Sequence, residues 1–164
     1  MRRAVASLAA ALALVLAAAA PPAGAADPAP NQHVRITFAG GYTGVAVATG
    51  VINAVGLAQE QSTLNADGSF FGTLTFRFPL GTVVAPFTGQ VTSLAVDPLT
   101  CVGRFTTAGT FTIDRGTGLY AGIGGWGSFT EAGTFNSLPT AGGCDPQPLL
   151  RTLLVTEARA FVTR

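Results

Sequence analysis

The chain has 164 residues, of which only 10% are charged, and its formal net charge is +1. That balance speaks against nucleic acid and anionic lipid as partners, because both demand a dense positive patch. Low charge combined with many Gly, Thr, Val and Phe excludes a disordered tail and suits a sheet protein.

The N-terminus carries an address. Arg2 and Arg3 precede an apolar run from Ala4 to Ala20, interrupted only by Ser7. Pro21 and Pro22 break any helix, and Ala23-Gly24-Ala25 supplies small residues for cleavage. A basic start, an apolar middle and an A-x-A end are the parts of a secretory signal. The run of about 17 residues is at the low edge of what spans a bilayer. Residues 1–25 are therefore expected to be a cleaved signal peptide, which makes the mature protein secreted, with no membrane segment left. Removing Arg2 and Arg3 leaves seven arginines against eight acidic residues, close to neutral. Residues 26–33, with Pro28 and Pro30, read as a flexible leader, and residues 34–164 as one domain.

From Val34 the pattern is strand, turn, strand. Val34 to Ala39 is the first strand, closed by Gly40-Gly41. Tyr42 to Thr49 and Val51 to Leu64 are small-residue strands, the second interrupted by Gly56, a mark of a bulge or bend. Asn65-Ala66-Asp67-Gly68 is a turn. Then Phe70, Gly72, Leu74, Phe76 and Phe78 share one face, while Phe71, Thr73, Thr75 and Arg77 share the other. Such period-two alternation predicts a half-buried strand. Pro79-Leu80-Gly81 turns the chain, and Val83 to Val96 carries one or two strands around Pro86 and Gly89. Arg104 to Asp114 repeats the alternation, with Phe105, Gly109, Phe111 and Ile113 on one face. A glycine-built connection from Gly116 to Gly122 leads to the returning strand Trp126 to Phe135. Ser137 to Pro148 is a loop, and Leu149 to Val162 is the closing strand.

Helical periodicity is confined to the signal peptide. The chain is expected to be all-β, a single antiparallel barrel of about eight strands, with a sandwich as the alternative. Leu149, Leu150, Leu153, Leu154 and Val155 are apolar on both faces. That fits a last strand placed between a lumen and a second subunit, or a central strand of a sandwich. Cys101 and Cys144 are the only cysteines, and an even count in an exported chain reads as a disulfide.

Three segments carry a family resemblance. Gly50-Val51-Ile52-Asn53-Ala54-Val55-Gly56 looks like a G-x-I-x-x-x-G strand. Phe76-Arg77-Phe78-Pro79-Leu80-Gly81-Thr82-Val83 follows F-x-F-P-x-G-T. Phe111 to Gly122 follows F-x-I-x-x-G-T-G-x-Y/F-x-G, with Gly125 to Thr130 as the returning strand. In this order they resemble the small secreted bacterial proteins grouped with the allene oxide cyclase and dirigent barrels. The resemblance implies an eight-stranded antiparallel barrel, often trimeric, with a lumen for an apolar small molecule. Plant members act as cyclases or steer radical coupling. The likeness lies in structural glycines and aromatics, so no catalytic residue carries over.

Candidate chemistry is sparse. His33 is the only histidine, no Cys-x-x-Cys exists, and neither a metal site nor a Ser-His-Asp triad is expected. The glycines from Gly116 to Gly125 lack the lysine and the following helix of a phosphate loop, so no cofactor is expected. Glu60, Glu131 and Glu157 stand mid-strand, whereas Asp67, Asp97 and Asp145 fall in turns. If the polar faces point inward, Arg77, Arg104 and Glu131 line a lumen and orient a polar ligand group, with Glu60 as a further ligand contact. The alternative places them on solvent-facing ends of strands. Three functions follow: a secreted barrel that binds an apolar small molecule, a cyclase or isomerase, and a structural barrel without ligand.

Overall fold

A computed structural model describes residues 29–145 and 150–164. The expected signal peptide lies outside these residues, as does Leu149. Eight long strands follow one another: β1 Gln32–Phe38, β2 Thr43–Gly50, β3 Ala54–Leu64, β4 Ser69–Phe78, β5 Gly81–Val96, β6 Val102–Ile113, β7 Gly124–Asn136 and β8 Leu150–Thr163. Each pairs antiparallel with its neighbours in sequence, and β1 also pairs with β8, so the sheet closes on itself. The protein is a closed eight-stranded antiparallel β-barrel. Full closure removes every long sheet edge, and the sandwich alternative falls away.

Several boundaries differ from the sequence expectation. Strand β1 begins at Gln32, inside the expected leader, because Asn31 and Gln32 are tied into the barrel. Asn31 Nδ2 donates to Val162 O at 2.9 Å, and Val162 N donates back to Asn31 Oδ1 at 2.8 Å. Residues 51–53 form a turn and not strand. Ile52 folds under the barrel, held by Gln32: Ile52 N donates to Gln32 Oε1 at 2.7 Å, and Gln32 Nε2 donates to Ile52 O at 3.2 Å. The segment around Pro86 is one continuous strand, with a register irregularity between Val91 and Ser93.

The connections divide the barrel into two ends. At the lower end, Ile52 and, from the β6–β7 connection, Tyr120 and Ile123 are buried and plug the bore. At the upper end lie the β3–β4 and β5–β6 turns and the β7–β8 connection. The Cys101–Cys144 disulfide joins the last two, its ends 43 positions apart in sequence. The Asp67 and Asp97 carboxyls lie below the usual carboxylate range in these turns. Asp67 accepts from the Ser69 hydroxyl and backbone N–H, and Asp97 from the Leu99 N–H and the Thr100 hydroxyl.

Inside, glycine and phenylalanine are matched across strands. Phe70 pairs with Gly89, Phe135 with Gly103, Phe105 with Gly133 and Phe111 with Gly127. A Cβ built on Gly133 comes to 2.6 Å from the Phe105 ring, and one on Gly127 to 2.8 Å from the Phe111 ring. The rings therefore lie against the wall, over positions that have no side chain, an arrangement that makes up for the packing a strand glycine forgoes. On β8, Leu154 is buried while Leu153 is exposed. Elsewhere on the outer wall, Val45, Val47, Val55 and Leu57 form exposed cross-strand pairs on β2 and β3.

Candidate functional site

Strand alternation decides which sequence candidates face the bore. Phe76 and Phe78 point inward, so Arg77 between them is exposed on the outside. Gly103 is buried and Phe105 lines the bore, so Arg104 is exposed as well. The apolar faces, and not the polar ones, point inward. Glu60 and Glu131 are the exceptions that share the inward face, and the structure brings these two together around one interior.

They come from β3 and β7, opposite walls of the eight-stranded ring. Glu60 is only 7% exposed, and the Ser62 hydroxyl two residues on donates to its Oε1 at 2.5 Å. Glu131 sits in register with Thr107 on β6 and Thr156 on β8. Both threonine hydroxyls donate to it, Thr107 to Oε2 at 2.8 Å and Thr156 to Oε1 at 2.8 Å. Thr107 and Thr156 are themselves buried. Polar groups set this deep need such partners, since an unpaired buried acceptor costs about 1–3 kcal/mol or more.

Two cavities meet at this pair. The lower one is small, about 50 Å³, and lined by apolar side chains such as Ile36, Phe78, Val83 and Phe87. The upper one holds about 290 Å³ and is walled by Phe70, Phe105, Phe135, Leu64 and Leu94. Among the described residues, Glu60 and Glu131 alone line both. The carboxyl groups thus mark a polar waist between two apolar chambers.

Ser62, Thr107 and Thr156 belong to this waist and were not singled out from sequence. Their signal was available: each is two residues, or one cross-strand step, from a mid-strand glutamate. Among the described residues no group of three or more His, Cys, Asp or Glu is placed to hold a metal ion. No protein-family model, curated protein or solved structure matches the chain. The architecture fits barrel families in general and does not single out the allene oxide cyclase and dirigent group.

Proposed function

We propose that this protein is an exported barrel that binds a small, mainly apolar molecule in its upper cavity, built along the lines of the allene oxide cyclase and dirigent barrels. The observation that carries the reading is the upper cavity itself: about 290 Å³, aromatic on its walls and polar on its floor. An apolar hollow with a few convergent polar groups is the usual form of a small-molecule site. The disulfide is compatible with an oxidising, extracellular setting. The sequence motifs supply the family part of the reading, and the aliphatic outer wall of β2 and β3 is where the expected trimer would form.

A cyclase or isomerase reading uses the same cavity. Confinement with one or two polar groups supports such reactions, and Glu60 and Glu131 are the groups it would use. Native mass spectrometry of the protein purified from culture medium tests the binding reading and counts subunits in one spectrum. Uptake of N-phenyl-1-naphthylamine, an uncharged apolar fluorophore, tests it independently. The expected result is a constant extra mass, or saturable dye fluorescence at one site per subunit. An apo species that takes up no dye overturns the reading and leaves a structural barrel.

A further inference from the structure

We infer that the mouth of the upper cavity docks on an electrically neutral lipid surface and exchanges its apolar ligand directly with that surface. The exchange rests on the small-molecule reading above; the docking does not. Antiparallel order brings four connections to the upper end: β1–β2, β3–β4, β5–β6 and β7–β8. At or beside each stands an exposed large apolar side chain: Tyr42, Leu64, Leu99 and Leu138, in that order. Leu99, in the β5–β6 turn, is 93% exposed. The four connections follow one another around the ring, so these side chains surround the opening. The plugged end is different. Its exposed leucines, Leu80 and Leu119, come from backbones that touch, with Leu119 N donating to Leu80 O at 2.8 Å.

Shape and continuity favour lipid over a protein partner. Leu64 and Leu94 both line the cavity and are both 58% exposed, so apolar surface continues from the hollow onto the rim. A ligand released into water there exposes its apolar area at a cost of about 25 cal/mol per Å². A ligand passed into lipid does not. A protein partner needs a packed central core, and the centre of this rim is an opening. Fluid lipid closes around each projecting side chain instead, and exposed apolar side chains set among polar ones mark such contacts. Charge sets the class of lipid. The charged side chains described on the four connections are Asp67, Asp97 and Asp145, all acidic. Attachment to anionic lipid uses clustered basic residues, and these carboxylates oppose it. Insertion of apolar side chains is then the whole attraction.

Vesicle flotation tests the docking. Protein purified from culture medium is mixed with vesicles of phosphatidylcholine, alone or blended with phosphatidylglycerol. It is expected to float with phosphatidylcholine at low and high salt, and less well with the blend at low salt. Leu99→Ser should cut partitioning about ten-fold, the scale of one leucine buried in lipid. Leu80→Ser, at the plugged end, should leave it unchanged. Exchange is read by loading the protein with N-phenyl-1-naphthylamine and adding phosphatidylcholine vesicles that carry a quencher. The transfer rate should rise in proportion to vesicle concentration, as for transfer on contact. A rate independent of vesicle concentration means that the dye crosses water, and overturns the exchange. No flotation, flotation with the anionic blend only, or equal losses from the two variants overturns the docking. Dye binding that persists in those cases leaves the small-molecule reading standing. A dimer that Leu99→Ser dissociates, and that does not float, assigns the rim to a second copy and overturns the inference. Absence of dye binding overturns the small-molecule reading and the exchange, while flotation still decides the docking. The comparison of the two lipids on the unmodified protein decides it even if neither variant folds.

Discussion

The two chambers of the bore are built by the same strands, yet one is nearly filled and the other is open. In the lower chamber, Ile36, Phe76, Phe78, Val83 and Phe87 point inward over the plug formed by Ile52, Tyr120 and Ile123. In the upper chamber the rings of Phe70, Phe105 and Phe135 lie over Gly89, Gly133 and Gly103 of the neighbouring strands, and Ser62, Leu64, Val91 and Thr107 line the space with them. An eight-stranded interior is just wide enough for side chains to fill it or for one small ligand to occupy it. This barrel does both, one at each end. Rings lie over glycines in the lower chamber too, Phe87 over Gly72 and Phe111 over Gly127, so the difference lies in what closes each end: Ile52, Tyr120 and Ile123 are buried beneath the lower one.

Truncation should separate the chambers most sharply. Ile36 is 0% exposed and lines the lower cavity, so Ile36→Ala removes packed atoms and leaves a void. The expected loss is about 2–5 kcal/mol. Leu94 lines the upper cavity at 58% exposure, and Leu94→Ala should stay within about 0.5 kcal/mol. Urea unfolding of both variants checks the contrast; equal losses would mean that the upper wall is as tightly packed as the lower core.

The disulfide comes next, because it ties two connections together at the open end, where the described residues include no counterpart of the Ile52, Tyr120 and Ile123 plug. Closing a 43-residue loop stabilises the fold by about 2–4 kcal/mol. The double change Cys101→Ser with Cys144→Ser should lower the melting temperature. Hydrogen exchange should rise first in the β5–β6 turn and the β7–β8 connection. An unchanged melting temperature would show that the other contacts of the upper end hold it closed without the crosslink.

Strand positions were legible because period-two alternation is local, and the clean pattern of Phe70 to Phe78 located β4 almost to the residue. The direction of each face was also written there, in Phe76 and Phe78 flanking Arg77. Reading the polar face as the lumen put Arg77 and Arg104 inside, whereas the greater apolar burial of the other face puts them out. The plug by Ile52 was not legible. It depends on Gln32, twenty positions away, turning its amide onto a loop. Nor was the pairing of Glu60 with Glu131, since only closure of the ring sets β3 against β7. A sequence that alternates correctly still leaves unstated which strands stand opposite one another.

The smallest effect tests whether these rings bound the hollow. The three atoms nearest a Cβ built on Gly89 all belong to the Phe70 ring, and those nearest one on Gly103 all belong to the Phe135 ring. No backbone atom is among these nearest neighbours, so an alanine there is accommodated by moving a ring and not by bending a strand. Both rings wall the upper cavity, and the room for them to move is the cavity itself. Gly89→Ala and Gly103→Ala should each cost about 1–3 kcal/mol, the usual range for overpacking. Each should also weaken N-phenyl-1-naphthylamine binding several-fold, because the displaced ring takes up ligand space. A loss of stability with dye binding unchanged would show that the rings find room elsewhere.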